Sequence, residues 1–311
     1  MKSCQVKTIW VFAALCLISS AEMCRAGGAA GTTGVNFLRF VSDARTGAMG
    51  ETGTSIVDNA NAVFLNPAML SSVEWRDLSL SYLSWVEGIR HEQVAYAGNF
   101  GQKGTLGLGL SYLSSGDIEG RDEFDLPTGN FEVTDMAVCL GYGKNIGKGF
   151  SLGAAVKFIR EKIKSDSGSG FAGDVGMTHQ GKYGKHPVTT AISMQNLGYK
   201  MGVGEKSPLP RTLRAGISSR PFSGKLLFSG ELVYPLDLKV RANVGTEFLV
   251  ADFLALRAGY RFRQDDVTGL DALSFGFGLI YPGRRVYLLD YAYTTQGDLG
   301  SVHRVNVGVR F

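Results

Sequence analysis

The chain has 311 residues, of which 42 are glycine, about twice the usual share of ~7%. Hydrophobic residues make up 44% of the chain and charged residues only 19%, and the formal net charge is +4. This composition excludes a disordered chain, because it can bury a large core, and a collagen, because the glycines keep no three-residue period. Abundant glycine and aromatic residues with few charges are typical of an outer-membrane β-barrel.

The first residues predict export from the cytoplasm. Two lysines precede an unbroken apolar run at residues 9–18, which is too short for a transmembrane helix but suits the core of a signal peptide. We predict cleavage after Ala26, with cleavage after Ala21 as the alternative. Removal of residues 1–26 leaves Cys139 as the one cysteine, so no disulfide framework and no cysteine-based zinc site is expected. The nearly balanced charge argues against nucleic acid as a partner.

From residue 77 onward, apolar residues alternate with small or polar ones. Leu106, Leu108 and Leu110, for example, alternate with Gly107 and Gly109. Because successive side chains of a strand point to opposite faces, one face suits hydrocarbon and the other suits a polar or tightly filled interior. The pattern predicts an all-β fold, a 14-stranded antiparallel transmembrane β-barrel. Its strands are expected at residues 77–86, 91–100, 104–114, 131–143, 150–162, 170–180, 188–197, 211–220, 225–234, 240–250, 253–263, 272–281, 285–295 and 303–311.

The connections between the predicted strands alternate in length along the chain. Those after even-numbered strands are short, whereas several after odd-numbered strands are longer and polar, at residues 115–130, 163–169, 198–210 and 264–271. Bacterial barrels have short periplasmic turns and longer outer loops. We therefore expect the chain in the outer membrane of a diderm bacterium, with both termini in the periplasm.

Residues 27–76 precede the first strand and do not alternate. Their length and composition predict a folded segment, a hatch, that lies in the lumen or across the periplasmic mouth. The chain is thus expected to divide into a signal peptide (1–26), an N-terminal hatch or plug segment (27–76) and a barrel (77–311).

Three motifs follow one another in this segment: ARTGAMG at residues 44–50, DNANA at 58–62 and NPAML at 66–70. Their combination resembles the N-terminal signature of the PorV/PorQ family, within the wider group of FadL-like outer-membrane barrels. The resemblance implies a fourteen-stranded barrel with an internal hatch and a link to type IX secretion, in which cargo is bound by its C-terminal domain and presented to a surface sortase. The hatch residues that carry the resemblance are Ala44, Arg45, Ala48, Met49, Gly50, Asp58, Asn59, Asn66 and Pro67.

A group of charged residues is predicted to face the lumen on neighbouring strands. A charge inside a narrow barrel must be hydrated or paired, since its isolated burial costs several kcal/mol. One interpretation is a ladder of ion pairs that stiffens the wall and holds the hatch. The other is a basic stripe that holds a carboxylate, from a fatty acid or from a cargo signal. The group comprises Arg214, Glu231, Arg241, Glu247, Arg257, Arg261 and Arg263.

The last strand ends in a strictly alternating run formed by Val305, Val307, Val309 and Phe311. This run matches the signal that the outer-membrane assembly machinery reads in a terminal strand, so that machinery is an expected partner.

No enzyme signature is present. The four histidines are scattered without a metal-ligand spacing, so we predict no catalysis, no metal and no cofactor. The expected function is a non-enzymatic role in type IX secretion, with secretion components or cargo C-terminal domains as partners beside the lipid bilayer. The alternative is FadL-like passive transport of fatty acids or other hydrophobic ligands, and a third is a purely structural wall protein.

Overall fold

A computed structural model of the chain describes residues 31–221, 224–262, 272–297 and 300–311. The predicted signal peptide and Arg263 lie outside these ranges. The strands are β1 (Asp77–Ser84), β2 (Arg90–Asn99), β3 (Thr105–Ser114), β4 (Ile118–Arg121), β5 (Pro127–Phe131), β6 (Val133–Gly147), β7 (Phe150–Ile163), β8 (Asp166–Tyr183), β9 (His186–Gly198), β10 (Thr212–Ser219), β11 (Leu226–Pro235), β12 (Arg241–Ala251), β13 (Leu254–Phe262), β14 (Leu273–Tyr281), β15 (Val286–Thr295) and β16 (Ser301–Arg310).

Within the described residues, fourteen of these strands form one closed antiparallel barrel. β1 pairs with β2 on one side and with β16 on the other, where Asp77 lies opposite Arg310 and Ser84 opposite His303. β3 pairs directly with β6, because β4 and β5 form a separate two-stranded sheet. The predicted all-β, fourteen-stranded antiparallel barrel is confirmed.

The wall has an apolar outer face and an inner face of small and polar residues. On β3 the leucines at 106, 108 and 110 are exposed, whereas Gly107, Gly109 and Ser111 point inward. The same alternation continues to the last strand, where Val307 is exposed and Asn306 is buried. An apolar outer band of this kind faces lipid, since every backbone group of a closed barrel is paired within the wall.

One of the predicted long loops is wrong, and another contains a hairpin. Residues 163–169 were expected to be a long loop, but Ile163 pairs with Asp166, and β7 and β8 continue as a hairpin. Residues 115–130 contain the β4–β5 hairpin. β7 has 14 residues and β8 has 18, more than the ~9–11 that cross the hydrocarbon band, so neither face of their outer ends has to be apolar. The alternation that identifies a strand is therefore absent there.

Residues 31–76, here called the N-terminal segment, form short helices packed on the inner faces of the strands. The helices are α1 (Ala44–Ala48), α2 (Ala62–Leu65) and the 3₁₀ turns Asn36–Arg39 and Pro67–Ser72. α1 contacts β13 to β16, and the Pro67–Ser72 turn contacts β3 and β6 to β8. None of the helices in the described ranges combines the length and apolarity needed to cross a membrane.

Side chains explain where α1 and the Pro67–Ser72 turn begin. The Asp43 carboxylate accepts a hydrogen bond from the Thr46 backbone at 2.8 Å and caps α1. The Asn66 side chain accepts one from the Ala68 backbone at 3.1 Å, and Pro67 occupies the first position of the following turn, where its missing N–H is not needed.

Candidate functional site

The N-terminal segment touches the wall in two chemically different places. We call the packing of residues 43–58 on β10 to β16 the charged contact, and the packing of residues 62–72 on β3 and β6 to β8 the apolar contact. Both are built from motifs that the sequence singled out.

Arg45 of the ARTGAMG motif is the centre of the charged contact. Its Nε lies 2.7 Å and its Nη2 3.0 Å from the two carboxylate oxygens of Glu247 on β12, and its Nη1 lies 3.0 Å from Asp58. A guanidinium that meets a carboxylate through two parallel hydrogen bonds is fixed in orientation as well as in charge. Burial lowers the pKa of Arg45, but Asp58 and Glu247 together raise it well above its usual value. Arg45 therefore ties α1 to the wall as a permanent cation.

Glu51 forms the second link of the charged contact. Its Oε1 accepts hydrogen bonds from Arg261 of β13 at 3.0 Å and from Arg304 of β16 at 3.1 Å. Burial raises the pKa of Glu51, but the two guanidinium groups outweigh it and lower that pKa to about 2. Arg304 is fully buried and also donates to the Val41 carbonyl and the Thr294 hydroxyl. One carboxylate thus joins the segment to two strands.

Asp58, from the DNANA motif, bridges two arginines near the end of the barrel. It accepts from Arg45 at 3.0 Å and from Arg310 at 3.1 Å, and Arg310 also contacts Asp77 at 3.1 Å. Burial raises the pKa of Asp58, yet Arg45 and Arg310 lower it below its usual value. Its side chain is still 40% exposed, so this link is weaker than the buried ones.

The wall also contains ion pairs of its own. Arg214 and Glu231 are 2.8 Å apart on β10 and β11, and the Thr54 backbone donates to the same carboxylate. Arg257 donates to Glu247 at 2.8 Å and to Asp290 of β15 at 2.6 Å. The predicted lumenal charges Arg214, Glu231, Glu247, Arg257 and Arg261 all take part in ion pairs. Arg241 is half-buried at the start of β12, and its charge helps to lower the pKa of Glu51. Both interpretations of the group, a ladder that holds the hatch and a carboxylate-binding stripe, stay predictions.

Glycines in the wall let α1 approach the strands closely. A Cβ atom at Gly259 would lie 2.0 Å from the backbone nitrogen of Gly50, and one at Gly245 would lie 2.4 Å from the Met49 carbonyl. A Cβ atom at Gly276 would lie 2.6 Å from that of Ala48. Gly50 itself has φ +68°, in the left-handed region that favours glycine. Glycine is thus required both in the segment and in the wall where α1 packs on β12 to β14.

The apolar contact uses glycines in the same way but carries no ion pair. Leu70 is fully buried, and its side chain fills the space above Gly107, Gly141 and Gly143. A Cβ atom at Gly153 would lie 2.3 Å from the backbone of Pro67. The predicted motif residues Asn66 and Pro67 are buried in this contact. Ala44, Ala48 and Met49 are buried in the charged contact, and Asn59 is buried between the two.

A polar network links the charged contact to β1 and β16. The Asn61 side chain donates to Asp43 at 3.0 Å and to the Ser79 hydroxyl of β1 at 2.9 Å. Asn306 of β16 accepts from Ser79 at 2.8 Å and from Ser81 at 2.7 Å. Asn61 thus connects α1 to the seam where the first and last strands meet.

A cavity of about 20 Å³ lies between the N-terminal segment and the wall, lined among others by Phe37, Phe40, Phe64 and Lys157. A cavity that holds benzene measures ~150 Å³, whereas a water needs ~10–15 Å³. In this arrangement the cavity accommodates water but no aromatic or fatty-acid ligand.

Sequence reasoning missed several partners of the predicted residues. Asp290 and Arg304 occupy inward positions of β15 and β16, so the strand alternation could have identified both. Glu51 follows the ARTGAMG motif directly, and no local pattern predicts that its partners lie on β13 and β16. Val305, Val307 and Val309 lie on the outer face of β16, and Phe311 pairs with the Arg76 backbone. Their role in assembly stays a prediction.

The closed fourteen-stranded barrel has a FadL-like fold. The toluene transporter TodX of Pseudomonas putida has a similar fold at 14% identity, with a TM-score of 0.61 over 86% of this chain and 96% of that chain. The toluene transporter TbuX of Ralstonia pickettii gives 15% identity and 0.60 over 86% and 98%. A Pseudomonas aeruginosa FadL homologue gives 10% identity and 0.54 over 87% and 98%.

The family described as type IX secretion system protein PorV matches residues 25–186, more than half of the chain. The chain therefore belongs to the PorV family, as the motifs at residues 44–70 indicated. Family and fold are both of non-enzymatic kinds. No curated protein matches the chain.

Proposed function

We propose that the chain is a PorV-type outer-membrane protein that serves type IX secretion by binding exported cargo or a secretion partner. It binds through the rim opposite its termini, which faces the outside of the cell, while both termini lie in the periplasm. The N-terminal segment acts as a hatch that keeps the lumen closed. The family match over residues 25–186 carries this proposal.

The two rims differ in a way that supports this orientation. The rim that holds both ends of the barrel has short turns, whereas the opposite rim has the β4–β5 hairpin and the connection at residues 199–211. Outer loops of bacterial barrels are the longer ones.

The β4–β5 hairpin is the part of that rim most suited to a protein partner. Phe124 is 75% and Leu126 59% exposed at its tip, and both edges of the two-stranded sheet are unpaired within the described residues. Exposed large apolar side chains beside free strand edges are features of surfaces that bind proteins. The ion pairs of Arg121 with Glu119 and Asp125 brace the hairpin from within.

The test compares the wild-type chain with Phe124→Ser/Leu126→Ser, each purified from native outer membrane by an affinity tag. Truncating two apolar anchors should reduce the recovery of secretion proteins at least about tenfold. The heat-modifiable migration of the variant should be unchanged, which would show that its barrel is folded. Tyr183→Ser is the matched control, because it removes a 72% exposed aromatic ring from the opposite rim. Equal recovery from all three proteins contradicts binding by the hairpin.

Transport of hydrophobic molecules is the second candidate, favoured by the fold shared with the toluene transporters and by the phenylalanines around the lumenal cavity. It requires the segment to move, because the cavity is far too small for such a ligand. Vesicles that contain the purified chain and take up labelled oleate faster than protein-free vesicles, with no secretion protein recovered above, would support transport over secretion. Uptake equal to that of protein-free vesicles would contradict a transport function.

A further inference from the structure

The rim that carries both ends of the barrel, here the terminal rim, is strongly basic on its outside. Only two exposed acidic residues, Glu74 and Asp252, lie in its described turns. Against them stand nine exposed basic residues: Arg76, Lys103, Lys144, Lys148, Lys182, Lys185, Lys225, Arg284 and Arg285. A surface of this charge attracts anions at the membrane edge.

Two of these arginines line a defined cleft. Arg284 and Arg285 lie in the four-residue turn between β14 and β15, and with Tyr281, Tyr287 and Phe311 they surround an open cleft of about 650 Å³. Among the described residues neither arginine has an ion pair, and the nearby Asp58 and Asp77 are already paired with Arg310. Both guanidinium groups are free to bind a ligand.

The walls of the cleft place it at the lipid boundary. Tyr281 and Tyr287 are direct register partners with ring centroids 6.5 Å apart, and both point outward. Tyrosine is enriched where the apolar part of a bilayer meets the headgroups. Below them on the same outer face, Leu279 and Leu289 are paired and exposed. A molecule in this cleft can therefore extend from a polar edge into hydrocarbon.

We propose that this cleft binds an anionic phospholipid through its phosphodiester headgroup. Arg284 and Arg285 hold the phosphate oxygens, because the planar guanidinium fork matches a phosphate better than a lysine ammonium does. Tyr281 and Tyr287 flank the headgroup, and the acyl chains lie along Leu279 and Leu289. This site is independent of the proposed secretion role, since it lies on the opposite rim from the β4–β5 hairpin.

The test measures lipid retained on the full chain by native mass spectrometry after incubation with phosphatidylglycerol or phosphatidylcholine. Each basic residue near an anionic surface contributes about fivefold to binding. Arg284→Gln/Arg285→Gln should therefore lower phosphatidylglycerol retention by about 20-fold and leave phosphatidylcholine unchanged. Both arginines are exposed, so heat-modifiable migration should confirm an intact barrel.

Lys182→Gln/Lys185→Gln is the matched control, because it removes the same charge from another turn of the same rim and should change retention less than twofold. Equal losses in the two double variants would show a general surface potential and overturn the proposed site. Equal retention of both lipids by the wild-type chain would also overturn it. Displacement of the lipid by millimolar inorganic phosphate would overturn it as well.

Discussion

The two contacts both hold the N-terminal segment against the barrel wall, but through different interactions. At the apolar contact, Leu70 and Val63 fill the space that Gly107 and Gly141 leave open. At the charged contact, Arg45 and Glu51 reach carboxylates and guanidinium groups on the wall. One end of the segment is held by close packing and the other by ion pairs.

The charged contact responds to pH and salt more than the apolar contact does. Close apolar packing does not depend on pH and depends little on salt. Buried ion pairs add little net stability over a well-packed apolar core, but losing one partner is costly because it leaves a charge uncompensated. The apolar contact thus provides attachment, whereas the charged contact fixes the orientation of α1 and is the end that an ionisation change can release.

Removing the Glu51 charge should have the largest effect. Glu51→Gln leaves Arg261 and Arg304 without their shared carboxylate, and breaking a buried pair in this way costs about 3–5 kcal/mol. Hydrogen exchange in residues 43–58 should accelerate strongly, while residues 62–72 keep their protection. The measurement is exchange of the detergent-solubilised barrel followed by mass spectrometry.

Leu70→Ala is the matched control at the other contact. Truncating a fully buried leucine costs about 2–5 kcal/mol, a loss of similar size, but it should loosen residues 62–72 first. If the two variants loosen the same residues, the two contacts form one cooperative unit rather than two separate attachments.

The barrel wall was predictable because the lipid imposes a local rule on every strand. Leu106 and Leu108 must face hydrocarbon, and this requirement can be recognised residue by residue. Beyond the hydrocarbon band the rule no longer applies, which is why the strand ends around residues 163–166 and the β4–β5 hairpin were missed. The number and order of the transmembrane strands needed no other information.

The candidate site was predictable only in part. Strand alternation placed Glu247 and Arg257 on the inner face, and the motif marked Arg45 as notable. The pairing of Arg45 with Glu247 joins residues that are 202 positions apart in the chain, and closure of the barrel creates it. No local pattern encodes which carboxylate an inward arginine will meet.

Low pH should weaken the charged contact but not the apolar contact, with an effect on stability between those of Glu51→Gln and Asp58→Asn. The pKa of Glu51 is lowered from 4.5 to about 2, so its charge stabilises the folded chain above about pH 4.5. That contribution is lost as the pH falls toward 2 and amounts to at most about 3 kcal/mol. Protease sensitivity of residues 43–58 should therefore rise between pH 4.5 and 2. Glu51→Gln should show no such rise in that window, and a rise of equal size in that variant would assign the effect to another group.

Asp58→Asn should have the smallest effect, although Asp58 bridges two arginines. Its side chain is 40% exposed, so water screens both ion pairs. Arg45 keeps its two hydrogen bonds to Glu247, and Arg310 keeps Asp77. We expect a loss of less than about 1 kcal/mol, measured as the shift in the denaturant midpoint of the barrel beside that of Glu51→Gln. A shift as large as that of Glu51→Gln would mean that the charged contact depends on its exposed edge rather than on its buried centre.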